Sequence, residues 1–351
     1  MPKRAKPTDA SANIAICDIG RTSARMCRRD DPLDEARIDG LPTSDFTGPS
    51  PMLDLLSALF DRTKIPREGA TLYLSVPASV AGDTAVFPQM PAPGGAEGEW
   101  RFSIKKLKDE LGLGDIFPVN DVVALGMALP EVLRTDHYEL IGPGIQRTNY
   151  PFVILAARSG VGGGGFVVDR TGGMIPIQGE GGHLGLTPSS DPEHQVLHHL
   201  RDIYRKQRRR DLLSITGHDV LSGPGSLALY EAVMRYREVE VEAPREARDI
   251  SRMAKSGGPE GEIARLTIEM WCRFFGSLAR NLTLAYGAFG GVYLAGPLAN
   301  DFLSRGSGWE AFHQNFEIGG PSPGYLSSIP RVLITHPNPY LRGLARLGSV
   351  I

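Results

Sequence analysis

Short apolar runs broken by glycine alternate along this chain with longer stretches in which apolar residues recur every three or four positions. Asn13 to Cys17 is apolar, stops at Asp18-Ile-Gly-Arg-Thr-Ser-Ala-Arg25 and resumes at Met26-Cys27, which predicts a strand, a glycine-bearing hairpin turn and a second strand. Pro51 to Leu59 has helical spacing, and Thr71 to Val76 is rich in β-formers and stops at Pro77, so a helix then a strand are expected. Ser103 precedes Ile104, Leu107 and Leu111 and reads as the cap of an amphipathic helix; from there Phe117-Pro118 leads to Asn120-Asp121. The Gly- and Pro-rich stretch Ala92 to Glu99 is expected to be an exposed loop.

Phe152 to Ala157, then Arg158-Ser-Gly-Val-Gly-Gly-Gly-Gly165, then Phe166-Val-Val168 repeat the strand, glycine turn, strand unit. Two such units predict two related halves. Asp191 to Asp211 is polar, expected as a helix, and includes the basic cluster Arg208, Arg209 and Arg210; Ser222-Gly-Pro-Gly225 reads as a helix entry. Ile263 to Leu284 predicts a long amphipathic helix with Leu266, Met270, Phe274, Leu278 and Leu282 on one face. Gly291 to Gly296 is a strand ending in glycine, and Arg331 to Thr335 a late strand before a terminal helix. This alternation predicts α/β layers, and 351 residues exceed the usual ceiling for one core, so two domains with a cleft between them are expected.

Composition narrows the partners. The balance of 38 Lys+Arg against 40 Asp+Glu, a net charge of -2, gives no bulk attraction to nucleic acid or to an anionic membrane. Cys17, Cys27 and Cys272 are too few for a disulfide scaffold or a four-ligand zinc site, which suits a reducing cytosol and a cytoplasmic location. Residues 1–12, rich in Lys/Arg, Pro, Ser and Ala with no apolar core, read as a disordered tail and not a signal peptide, and no window is apolar for long enough to span a bilayer.

Chemistry is suggested by the order of a few polar groups. Glycine turns between strands let backbone amides approach phosphate oxygens, and two of them would clamp a nucleoside triphosphate; neither matches the single-turn Walker or dinucleotide fingerprints, which disfavours a Rossmann oxidoreductase. Asp18, at the end of the first strand, is open to two readings: holding water on a phosphate-bound metal ion, or serving as a turn residue. Asn120-Asp121, followed about sixty residues later by Glu180-Gly-Gly-His183, reads as a sugar pocket with a built-in base, although an Asn-Asp at a strand end is by itself a common turn or helix cap. His194 and His198 share a helical face without a third ligand and read, like the arginine cluster, as a solvated surface.

These pieces, in this order, resemble the bacterial glucokinases of the actin-like ATPase superfamily from about Ile14 to the C-terminus: DIGRTSAR, WRFSI, VNDVVALGMALP, IQGEGGHLGLTP, VLSGPGSLALY, GGVYLAGPLAN and IPRVLITHPNPYLRGLARL. The resemblance implies a two-domain actin-like ATPase (ribonuclease H-like) fold with an interdomain cleft: a small α/β domain from residues 13–130 plus 338–351 and a large one from 131–337. It implies an ATP-dependent hexose kinase, with Mg²⁺ carried on the nucleotide, that phosphorylates the 6-hydroxyl of glucose for glycolysis. Asp121 matches the base that deprotonates the attacking hydroxyl, and Asn120, Asp121, Glu180 and His183 match hexose-binding residues. His218, with Asp219 beside it, stands where the family has another sugar-binding Glu, and Gln89 stands near a sugar-side Asn. Asp18 matches the acidic residue that reaches Mg²⁺ through water. Gly20, Thr22, Ser159 and Gly160 match the two phosphate turns, and Gly296 the adenosine motif. Arg21, Arg158 and Pro297 replace glycines of those motifs, and Ser23 an Asn, which keeps open an alternative: a catalytically impaired sugar sensor or regulatory paralogue. Relatives of this family form homodimers; the helix at Ile263 to Leu284 offers a contact face or ordinary core packing. The dozen residues before the first strand are too few for the helix-turn-helix of a repressor relative.

Overall fold

The computed structural model describes residues 13–34, 38–77, 79–92, 97–144, 149–177, 179–207, 211–303, 307–322 and 324–350. The expected tail at 1–12 and the cluster Arg208 to Arg210 lie outside them, as does the side chain of Gln89. The chain forms two compact units, Met1–Thr135 with His336–Ile351 and Asp136–Thr335.

In the first unit β1 (Ile14–Ile19) and β2 (Ser23–Arg28) form an antiparallel hairpin. β3 (Leu41–Pro42) extends it on one side; on the other β1 pairs in parallel with β4 (Thr71–Val76) and β4 with β8 (Asp115–Asn120), giving the order β3-β2-β1-β4-β8. Helix α1 (Pro51–Thr63) begins with proline in its first turn and ends at Lys64 in the left-handed region. It packs Leu55, Leu56, Leu59 and Phe60 against Ala15, Cys17, Leu72 and Leu74 of the sheet. A separate sheet of β5 (Ser79–Ala81), β6 (Thr84–Pro91) and β7 (Glu97–Ser103) leads into α2 (Ile104–Leu111). Ser103 caps α2 as expected, its Oγ accepting the Lys106 amide at 3.0 Å. Glu97 to Glu99, expected in a loop, are instead the start of β7 and pair with β6 through Pro91 and Met90. Helix α3 (Asp121–Val132) and the terminal helix Pro339–Val350 cover the other face of the sheet, where Ile16, Tyr73, Ala124, Leu341 and Leu344 form one apolar cluster.

In the second unit β10 (Phe152–Ala157), β11 (Val161–Val168) and β12 (Met174–Ile177) are antiparallel neighbours. β13 (Gly291–Ala295) and β14 (Arg331–Ile334) continue in parallel from β10, and β9 (Tyr138–Leu140) closes the edge, so the order is β12-β11-β10-β13-β14-β9. Apart from β9 and the separate β5-β6-β7 sheet, each unit thus repeats an antiparallel trio followed by two parallel strands. The repeat expected from the two glycine-bearing hairpins is present in the strand order.

Among the described residues of this unit the helices are α4 (Asp191–Gln207), α5 (Gly217–Leu221), α6 (Gly223–Tyr236), α7 (Ala247–Met253), α8 (Gly258–Tyr286), α9 (Pro297–Phe302) and α10 (Ser307–Phe316); α5, α8 and α9 lie against the sheet, and α6, α7 and α10 pack on α8. The apolar face foreseen for Ile263 to Leu284 belongs to α8 and is core: Met270, Phe274, Leu278 and Leu282 are buried in the main cluster, with Leu266 packed at its border. Trp271 stacks on Phe275 and meets Phe302 edge-on.

Candidate active site

Each unit gathers its share of the expected site residues at the C-terminal ends of its parallel strands, the edge where ligands bind in open α/β sheets. In the first unit Asp18 pairs in register with Ser75 of β4, and Asn120, opposite Val76, ends β8. Asn120 turns the chain from strand to helix: its Oδ1 accepts the Val122 amide at 2.9 Å as the N-cap of α3. Asp121 is the first residue of that helix, partly exposed, and its Oδ1 also accepts the Val122 amide, at 2.8 Å. The partial positive charge of a helix's first turn suits an anion there. The cap and site readings of Asn-Asp are therefore compatible, since the cap uses one amide oxygen and sets the orientation of both side chains.

Asp18 does not lie in the turn. It is the fifth residue of β1, has no exposed surface, and pairs across the hairpin with Arg25, whose Nη2 donates to Oδ2 at 2.8 Å. The Ser75 hydroxyl donates to Oδ1 at 3.3 Å. The turn itself, Gly20-Arg21-Thr22, is closed by the Gly20 amide donating to the Ser23 carbonyl at 2.9 Å. It is anchored to the next loop through the Arg21 and Thr22 carbonyls, which accept the Thr43 hydroxyl and amide. Arg25 was not anticipated as part of this group. The hairpin register could have found it, because Asp18 and Arg25 are equidistant from the segment Gly20 to Ser23 that joins the paired positions.

In the second unit the corresponding turn is Arg158-Ser159-Gly160, closed by the Arg158 amide on the Gly160 carbonyl at 2.7 Å. Two other segments converge on it. A Cβ on Gly223, at the start of α6, would lie 3.8 Å from the Ser159 Cα. A Cβ on Gly296, at φ +103 after β13, would lie 2.1 Å from the Ala157 carbonyl oxygen, so only glycine lets these two strand ends touch. Gly296 thus lies against the strand end that leads into Arg158, Ser159 and Gly160, and Pro297 opens α9, where a missing amide hydrogen is tolerated.

Gly162 to Gly165, expected as part of the glycine turn, lie instead within β11, paired in that order with Ala156, Leu155, Ile154 and Val153 of β10. They make room for neighbours. A Cβ on Gly163 would press on Gly181 and Leu282 at 3.2 Å, and one on Gly165 would strike the Tyr286 ring at 2.3 Å. The short 3₁₀ turn Gly181–His183 fits against this strand so closely that a Cβ on Gly182 would lie 2.0 Å from the Val161 carbonyl oxygen. Glu180 and His183 are exposed on either side of that buried glycine pair.

His218 and Asp219 lie next to this turn but differ from it in exposure. His218 is buried, and its ring stacks on that of His183, centroids 4.9 Å apart and planes 18° from parallel. Asp219, also buried, holds the start of α5: its Oδ2 accepts the Thr216 amide at 2.9 Å and hydroxyl at 2.7 Å. Among the described residues no three His, Cys, Asp or Glu side chains stand together as a metal site, and no helix is long and apolar enough to cross a membrane.

Residues 15–349 match the family model described as Glucokinase. A glucokinase from Psychromonas ingrahamii is 30% identical over 93% of this chain and 94% of its own length. Among solved structures, glucokinase from Balamuthia mandrillaris in complex with glucose superposes with a TM-score of 0.74 at 19% identity, covering 96% of this chain and 93% of that one. A ROK family glucokinase from Streptomyces griseus in complex with glucose and AMPPNP gives a TM-score of 0.58 at 14% identity over 95% and 98%.

Proposed function

The chain belongs to the glucokinase family, with the two-domain actin-like ATPase fold, and from that premise we propose that it is an ATP-dependent hexose kinase that phosphorylates the 6-hydroxyl of glucose. The observation that supports this reading most directly is Asp121: a carboxylate at a strand-to-helix junction, oriented by the Asn120 cap and set in the first turn of a 12-residue helix. Asp121 takes the proton of the attacking hydroxyl, and the Asn120 amide group, Glu180 and His183 bind other hydroxyls of the sugar. General-base removal of this kind contributes on the order of 10²- to 10⁴-fold in rate.

The phosphates of the nucleotide are met by the two hairpin turns, Gly20 to Thr22 and Arg158 to Gly160, with Gly296 at the adenosine side. Arginine in such a turn supplies charge-assisted bonds to phosphate oxygens, which a glycine could not. Mg²⁺ arrives as part of the substrate Mg-ATP. Asp18 serves that substrate indirectly, by holding the first turn through its pair with Arg25. A role in glycolysis and a cytoplasmic location belong to the same proposal. ADP release from Mg-ATP in the presence of glucose, and not of water alone, is the expected result, and Asp121→Asn should lower kcat by about 100-fold or more. Turnover of Asp121→Asn within about tenfold of wild type, roughly 1.4 kcal/mol of barrier, would remove Asp121 from the role of base.

A further inference from the structure

The ring of His218 is almost wholly buried, 7% exposed, and one of its faces is covered by the exposed ring of His183. A group in that position has little surface left with which to meet a sugar. What it can do is fix the ring above it. We infer that His218 is a positioning residue: its buried imidazole is the floor on which the sugar-binding imidazole of His183 is held before the hexose arrives. This rests on the assignment of His183 to the hexose.

The floor is itself rigidly mounted. The segments that carry the two rings are tied together by the Gly217 amide on the Leu184 carbonyl at 3.0 Å and the Leu186 amide on the Ile215 carbonyl at 2.9 Å. Asp219 caps α5 on Thr216, and the Tyr204 hydroxyl donates to the Asp219 carbonyl at 2.9 Å. Beneath His183, Gly182 is locked against Val161. The backbone on both sides of the stack is therefore fixed, and the remaining freedom is the side-chain rotation of His183. Its separation and tilt are those of a favourable offset ring pair. Holding an exposed side chain in its bound rotamer removes an entropy cost that binding would otherwise carry.

Two substitutions separate the ring from its nitrogens. His218→Phe keeps a planar ring without polar atoms, and His218→Gln keeps polar atoms without a ring. Glucose KM should rise about three- to tenfold in His218→Gln, the scale an aromatic pair is worth, with kcat little changed, while His218→Phe stays within about twofold of wild type. Loss in Phe with retention in Gln would assign His218 a polar contact instead, and equal behaviour of the two, whether both impaired or both normal, would equally overturn the inference. A sugar-free readout accompanies the kinetics: the His183 ring-proton resonances should move in Gln and remain near their wild-type positions in Phe. A wild-type protein that neither binds nor turns over hexose would remove the kinase reading and the stack's purpose with it; movement of those resonances in both variants, or in neither, would remove the stack alone.

Discussion

The two hairpins, β1-β2 and β10-β11, occupy the same place in the strand order of their units and are held by opposite means. In the first, the strands carry full side chains, and the register brings Asp18 against Arg25 as an ion pair shut inside the sheet. In the second, four consecutive positions of one strand carry no side chain at all, and at two of them, Gly163 and Gly165, the space is taken by Gly181, Leu282 and Tyr286. One topology therefore tolerates either a buried charge pair or an absence of side chains at the strand that follows the turn. The first solution fixes a turn; the second opens a seat for another loop, the one that carries Glu180 and His183.

The contrast predicts different failures. Asp18→Ala would leave the Arg25 guanidinium buried without its carboxylate, a change that typically removes about 3–5 kcal/mol, a large share of a domain's stability, read from urea midpoints. The double variant Asp18→Leu with Arg25→Met should recover most of that loss, since an apolar pair satisfies the same space; a double variant no more stable than the single one would show that the pair does more than fill the sheet. In the second unit Gly182→Ala forces a methyl onto a backbone carbonyl that cannot step aside, so about 1–3 kcal/mol of destabilisation and a rise in glucose KM are expected together. Unchanged KM there would mean that the seat under His183 is adjustable. Gly165→Ala meets a side chain, Tyr286, that can swing away, and should cost about 1 kcal/mol or less beyond the strand's own gain from losing a glycine.

The smallest effect concerns pH. Partial burial raises the pKa of Asp34, but hydrogen bonds from His336 and Arg342 outweigh it and hold the carboxyl below its ordinary 3.8. A carboxylate depressed by folding stabilises the protein above its unfolded pKa, and that contribution is lost as pH falls from about 4 through the lower folded value. Asp34 is 41% exposed, so solvent screening limits the effect to about 0.5 kcal/mol. Asp34→Asn should flatten the acid limb of the stability profile below pH 4 and leave it parallel to wild type above pH 5; an unchanged acid limb would show that other carboxylates dominate there.

Much of this could be read along the chain because the deciding contacts are local. Ser103 and Asn120 cap helices that begin one residue later, and the glycine-bearing hairpins involve neighbours in sequence. The glycines of β11 were harder, because a glycine that serves a turn and one that serves a distant loop look alike in sequence. Their partners, Gly181 and Tyr286, come from other elements. The ring stack is the same kind of case: His183 and His218 are 35 positions apart in number and meet only because two backbone bonds join their segments.

By itself the order of residues determined the two-fold α/β repeat, the capped junction at Asn120-Asp121 and the family, since periodicity, caps and motif order act over a few positions at a time. Only the tertiary structure decided that Asp18 is closed off by Arg25, that the glycine run is a packing surface, and that His218 lies under His183. Those outcomes depend on which distant side chains share a volume, and close packing settles that for the folded chain as a whole.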